Sequence, residues 1–209
     1  MTDAIPKTCD RAVSANGKEL RESVRLVYSA AATDPSEKHP FPIGAAFAHD
    51  LGYPQELLNR VPIESSEAFA GVSNVSMQAP LREGLLVLDL GCGAGLDSLV
   101  AAERVGPNGR VVGIDFSGSM LDRASRAAKD YGHTNLAFVQ ASAEHIPLRD
   151  SCVDMVLVNG IFNLNPFREK ILHELFRVLR PGGHVFGAEL VLKSPLPEHL
   201  QSGTVNWFS

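Results

Sequence analysis

The sequence predicts an α/β fold: a doubly wound, mostly parallel sheet preceded by a small helical cap. Three observations lead there. From about residue 81 onward, short apolar runs alternate with helical patterns, the order that yields parallel strands joined by right-handed crossovers. The first of those runs ends in the glycine-rich string Asp89-Leu90-Gly91-Cys92-Gly93-Ala94-Gly95, directly ahead of a helix. Before residue 80 there is no strand pattern, only helical stretches interrupted by prolines.

Taken in order, residues 1–17 are polar, carry Asp3 and Asp10, and read as a disordered lead-in rather than a signal peptide. Residues 18–80 form the cap. Glu19 to Ala31 carries Val24, Val27 and Tyr28 at helical spacing. The loop Lys38-His39-Pro40-Phe41-Pro42 follows, then short helices over Ala45–Leu51 and Pro54–Val61, the second with Pro54 at a favoured first-turn position. Residues 81–209 form the sheet domain. Leu85–Leu90 is a continuous apolar run suited to a strand covered on both faces. A helix over Leu96–Val105 stops at Gly106-Pro107-Asn108-Gly109. Arg110–Asp115 is the second strand, and Ser117 caps a helix over Ser119–Tyr131 that Gly132 ends. Leu136–Ala141, Val153–Asn159 and His184–Leu192 bring the strands to five. Between the last two, Phe167–Leu179 is a helix with Ile171, Leu172, Leu175, Phe176 and Leu179 on one apolar face.

The bulk properties narrow the function. A chain of 209 residues, 44% hydrophobic and 21% charged, is long enough for one sizeable core. Its net charge of −5 offers no footprint for nucleic acid or an anionic membrane surface. No apolar run is long enough to cross a bilayer. Cys9, Cys92 and Cys152 form neither an even framework nor a CxxC pair, so a reducing cytoplasmic setting is expected, with no metal site.

The chemistry centres on the glycine turn. Glycines at alternate positions let the backbone curl and approach a ligand where a Cβ would intrude. The helix beginning near Leu96 points its N-terminal N–H groups at the same place. Asp115 ends the next strand, where a carboxylate can accept both hydroxyls of a ribose. Either feature alone is compatible with an ordinary structural turn. Together, in one strand–helix–strand unit, they indicate an adenosine-containing cofactor. A dinucleotide fingerprint spaces its glycines GxGxxG, whereas Gly91, Gly93 and Gly95 run GxGxG after Asp89.

That string resembles motif I of the class I methyltransferases, and Arg177-Val178-Leu179-Arg180-Pro181-Gly182-Gly183 is similar to their turn into the fifth strand. The resemblance implies S-adenosyl-L-methionine (SAM) as cofactor and a Rossmann-like sheet whose last two strands are missing before Ser209. It also implies a set of cofactor contacts by position. Asp89, Gly91, Cys92 and Gly93 would lie against the methionine moiety, with Asp97 in the first turn of the helix. Phe116 and Met120 would flank the adenine. Ser142, Ala143 and Glu144 stand where many relatives have an Asp for the adenine amino group. Asn159 would hold the methionine end or close a turn with Gly160, and Tyr28 would close over the cofactor or pack the cap onto the sheet.

A narrower resemblance covers roughly residues 20–209. Val24 to Tyr28, Leu51-Gly52-Tyr53, Gly71-Val72-Ser73-Asn74 and Val158-Asn159-Gly160-Ile161-Phe162-Asn163-Leu164 are similar to segments of the arsenite methyltransferase family. That family binds trivalent arsenic through cysteine thiolates, soft ligands for a thiophilic element. Two of those cysteines belong where this chain has Val72 and Gly160. Cys9, Cys92 and Cys152 are not placed to replace them. The expectation is a SAM-dependent methyltransferase acting on a small molecule other than arsenite, self-associating through an exposed sheet edge, with no nucleic-acid or membrane partner. The alternatives are a non-catalytic SAM-binding or assembly module, an arsenite methyltransferase proper and a nicotinamide oxidoreductase. No catalytic base is identified; Asp97, Glu189 and His39 are the candidates near the site.

Overall fold

The computed structural model describes residues 7–191, with side chains from Gly17 onward. The cap consists of α1 (Lys7–Thr33), α2 (Ala45–Asp50), α3 (Gln55–Arg60), α4 (Ile63–Glu67) and α5 (Val75–Gln78). Helix α1 starts at Lys7 rather than near Glu19, so residues 7–17 are helix where a disordered lead-in was expected. The two shortest helices, α4 and α5, carry too few residues for any periodic signal.

The sheet domain follows as β1 (Leu86–Leu90), α6 (Leu96–Val105), β2 (Arg110–Asp115), α7 (Gly118–Tyr131), β3 (Leu136–Gln140), β4 (Val153–Asn159), α8 (Arg168–Val178) and β5 (Leu179–Ala188). All neighbours pair in parallel, in the order β3-β2-β1-β4-β5. The chain therefore reverses its direction of winding between β1 and β4, and a crevice opens beyond the C-terminal ends of those two strands.

Alternate side chains of the central strands feed two cores. Leu88, Leu90, Ile114, Val156 and Val158 pack with Ile171, Leu175 and Val178 of α8. Val87, Val111, Met155 and Leu157 pack on the opposite face with Ala101, Ala102 and Val105 of α6 and Val75 of α5. Burial on both faces is why β1 and β4 read as unbroken apolar runs.

Two expectations at the far edge require correction. Helix α8 buries Ile171, Leu175 and Val178, one residue per turn, while Leu172 and Phe176 are 56% and 87% exposed. These two lie on the neighbouring stripe, and beyond β5 the described residues supply nothing to cover it. The fifth strand also begins at Leu179, five residues before the expected His184. Its pairing with β4 jumps from Val153–Leu179 to Met155–His184, so Pro181-Gly182-Gly183 is a bulge inside the strand rather than a turn ahead of it. Gly182 takes φ +81°, which the bulge requires. The expected end at Leu192 lies outside the described residues.

Candidate cofactor site and its family

The glycine turn is fastened to β2. Gly91 and Cys92 donate their N–H groups to the Ile114 carbonyl at 2.8 and 3.0 Å. Gly91, Gly93 and Gly95 have φ values of +76°, +52° and +86°, which explains why glycine recurs at alternate positions. Gly95 also leaves no room for a side chain, since a Cβ would stand 3.0 Å from Ala124 Cβ of α7. Helix α6 has no side-chain cap, so its first N–H groups open toward the crevice.

Asp115 joins the turn to the next helix. One carboxylate oxygen accepts from Gly93 N at 2.9 Å and the other from Ser117 N at 2.8 Å. Burial pushes its pKa up to about 6, against the lowering effect of the N–H groups of Ser117, Gly93 and Phe116. Each oxygen keeps a lone pair for a ligand hydroxyl. Ser117 accepts from Met120 N at 3.3 Å as the expected cap of α7, and its hydroxyl meets Ser29 of α1 at 2.8 Å.

All thirteen residues singled out in the sequence as cofactor contacts line one cleft of about 980 Å³ including its mouth. Cap residues Arg21, Val24, Tyr28, Phe69 and Gly71 form its roof, with Tyr28 stacked on Phe41 at 4.6 Å. Arg21, Val24 and Tyr28 share one face of α1 at i, i+3 and i+7, a signal present in the sequence and not used there. Burial, followed by the charges of Asp115 and Glu189, raises the Tyr28 hydroxyl well above the usual phenol range. Met120 is buried with Ala31, Ala68 and Ala94, and Phe116 is half-buried at the cleft wall.

Several of these side chains are already engaged. Asn159 Oδ1 accepts from Val72 N and Ser73 N at 2.8 and 3.1 Å; its Nδ2 donates to Ser73 O and to Asp97 Oδ2, both at 2.8 Å. Asp97 Oδ1 accepts from the Tyr53 hydroxyl and from Ser76 N. The Asn159–Asp97 pair thus clamps the cap segment 72–76 onto the ends of β4 and α6. Gly71 is required beside the clamp, because a Cβ there would fall 2.4 Å from Asn159 Nδ2. Glu144 accepts from Asn165 at 2.8 Å and pairs with Arg21 at 3.5 Å, tying the loop after β3 to α1. Asn165 and Arg123 gave no sequence signal, since their roles depend on partners 21 and 91 residues away, and Tyr53 entered only as part of a family-like segment, without the role that its bond to Asp97 gives it.

Two of the three candidate bases lie outside the cleft wall. Glu189 accepts from Phe162 N and Asn163 N, holding the loop after β4, and His39 bonds to the Asp34 carbonyl in the cap loop. Positions 72 and 160 do face each other: a Cβ on Gly160 would meet Val72 Cγ1 at 3.1 Å. Gly160 has φ +85°. Cys92 is buried in the turn against Gly113, Cys152 lies at the start of β4, away from the cleft, and Cys9 has no described side chain.

A parallel sheet wound in this order, with a glycine turn, a strand-end acid and a cleft at the switch point, is the Rossmann-like fold of class I methyltransferases. A family model described as a methyltransferase domain matches residues 81–208, and the chain belongs to that family. Among solved structures, an arsenic(III) S-adenosylmethionine methyltransferase from Chlamydomonas reinhardtii is 34% identical, with a TM-score of 0.58 over 76% of this chain and 53% of that one. A SAM-dependent methyltransferase from Aquifex aeolicus is 25% identical, with a TM-score of 0.53 over 76% of this chain and 80% of that one. Among curated proteins, an arsenite methyltransferase from Halobacterium salinarum is 33% identical over 157 residues, covering 75% of this chain and 40% of its own length. A demethylmenaquinone methyltransferase from Lactococcus lactis is 39% identical over 102 residues, covering 49% of this chain and 40% of its own length. The chain therefore spans less than half the length of the curated relatives it matches.

Proposed function

We propose that the chain is the cofactor-binding and catalytic part of a SAM-dependent methyltransferase acting on a small molecule, with residues 18–80 as cap and 81–209 as the SAM-binding domain. One observation carries the reading: the cleft is lined by Asp89, Asp97, Asp115 and Glu144, with Arg21 as the single lining cation among the described residues, and Arg21 is paired with Glu144. That balance suits a cationic sulfonium and ammonium. It opposes the pyrophosphate of a dinucleotide, which an oxidoreductase would have to bind at the same turn.

The residues fit SAM. Asp115 would offer both oxygens to the ribose, Phe116 and Met120 would flank the adenine, and the Ser142–Ala143 edge would meet its polar rim. The glycine turn admits the methionine moiety. SAM brings an already activated methyl group, so the protein's task is to orient the acceptor and exclude water. Tyr28, Val24 and Phe69 do this from the cap. Calorimetry with SAM and its demethylated product should show binding, and NAD should show none; the reverse result would overturn the reading. Turnover of labelled SAM against a panel of small acceptors separates an enzyme from a non-catalytic SAM-binding module.

The acceptor is not arsenite bound through thiolates. The two positions where the resemblance places the cysteines of the arsenite methyltransferases hold Val72 and Gly160, and a Cβ on Gly160 would stand 3.1 Å from Val72 Cγ1. Incubation with arsenite, a thiol and labelled SAM should yield no methylated arsenic. The chain also self-associates in this reading, through the outer edge of β5 and the exposed Leu172, Phe176 and Val185. A monomer in light scattering at micromolar concentration would overturn that part. No described helix is long and apolar enough to cross a membrane, and two free cysteines, Cys92 and Cys152, suit a reducing cytoplasm.

A further inference from the structure

In the SAM reading, the end of the cleft left for the methyl acceptor lies where cap residues 69–71 meet the loop after β4. A Cβ on Gly71 would stand 2.4 Å from Asn159 Nδ2 and 2.7 Å from Phe69 Cζ, and a Cβ on Gly91 would stand 3.2 Å from Ile161 Cδ1. Phe69, Gly71, Asn159 and Ile161 thus adjoin the glycine turn along one wall. The polar side chains there are committed to the fold. Asn159 donates both amide hydrogens, to Ser73 O and Asp97 Oδ2, and its Oδ1 accepts from Val72 N and Ser73 N. Asp97 accepts from the Tyr53 hydroxyl, Ser76 N and Asn159. Arg21, the single lining cation among the described residues, is held by Glu144. The Tyr28 hydroxyl in the roof is the exception. It bonds to nothing among the described residues, and burial keeps it protonated, which leaves a donor for one lone pair.

We propose that the methyl acceptor is an uncharged, largely apolar molecule that lies against Phe69 and Ile161 and offers a single polar atom to the roof. The proposal rests on the SAM reading above. Charge selects in the same direction as the spent hydrogen bonds. An anion entering beside Asp89, Asp97 and Asp115 would lose its water with no free cation to meet it. A cation would face the donor's sulfonium, whose methyl must point at the acceptor. In the transfer, the acceptor's nucleophilic atom bonds to the methyl carbon. The carbon–sulfur pair stays on sulfur, which becomes a neutral thioether, and a proton released by the nucleophile passes to water.

Three probes of one shape test the charge: naphthylmethanol, naphthoate and naphthylmethylammonium. Titrated calorimetrically into the SAM-loaded chain at neutral pH, the alcohol should bind at least about tenfold more tightly than either ion. Ala70 lines the cleft between Phe69 and Gly71. Ala70→Arg would set a cation on that wall, and naphthoate should then bind about tenfold more tightly than it does to wild type. A gain of that kind cannot come from misfolding. Circular dichroism shows whether the variant folds, and the three wild-type titrations decide if it does not. An ion that binds as tightly as the alcohol, an alcohol that does not bind, or an unchanged naphthoate affinity in an Ala70→Arg chain that binds SAM overturns the inference alone. Failure of SAM to bind at all overturns the cofactor reading and the inference with it.

Discussion

Replacing Asn159 by Asp changes one atom of the clamp and inverts its logic. Oδ1 can still accept from Val72 N and Ser73 N, at 2.8 and 3.1 Å. The second oxygen, however, replaces a donor that stands 2.8 Å from Ser73 O and 2.8 Å from Asp97 Oδ2. Two carboxylate charges at that separation repel by about 6 kcal/mol at an effective dielectric of 20, so the new group keeps its proton in the folded state over much of the pH range. Its folded pKa is raised above the unfolded value of about 3.9. The raised pKa leaves stability intact below about pH 4 and removes it progressively as pH rises toward the folded pKa. Near pH 4 the protonated carboxyl can donate to one of the two acceptors, and the variant should be about 1 kcal/mol less stable than wild type. At pH 7.5 the gap should widen to roughly 3–5 kcal/mol. Urea denaturation of both proteins at the two pH values measures the gap, and titrations common to both cancel in the difference. A gap below about 1 kcal/mol at pH 7.5, or one that does not change with pH, would refute the clamp as described.

Other consequences concern packing and association. Arg123 of α7 donates to Ala32 O, Glu64 O and Glu67 Oε2 at 3.1, 2.9 and 2.8 Å, joining α1 and α4 to the sheet domain. Arg123→Met should cost about 3 kcal/mol in chemical denaturation, and a loss under 1 kcal/mol would count against that role. Gly71→Ala drives a Cβ to 2.4 Å from Asn159 and 2.7 Å from Phe69; about 2 kcal/mol of strain should appear as a melting temperature lower by roughly 4–8 °C. Leu172→Lys with Phe176→Lys should leave stability within about 0.5 kcal/mol of wild type while reducing the particle size seen in light scattering. Unchanged association would remove α8 from the proposed interface.

The sequence by itself determined the strand–helix alternation, the glycine turn and the strand-end Asp115, because each is a local property. Burial on both faces writes itself as an apolar run, positive φ as glycine, and a helix start as Ser117. The limits of Arg110–Asp115, Val153–Asn159 and Leu96–Val105 agree with the structure to the residue. Local pattern failed where the decision was not local. The apolar Leu172 and Phe176 read as core, yet which stripe of α8 is buried depends on where β5 lies. The start of β5 was hidden by Pro181-Gly182-Gly183, which reads as a turn and folds as a bulge because β4 supplies its pairing. The sequence reads Asp97, Asn159 and Glu144 as cofactor contacts, with Asn159 alternatively closing a turn with Gly160 and Asp97 in the first turn of its helix. Only the tertiary structure gives them partners, since Tyr53, Ser73 and Arg21 reach them across 44, 86 and 123 residues of chain. A hydrogen bond carries no trace in the sequence at that separation, because either partner alone is an ordinary polar residue.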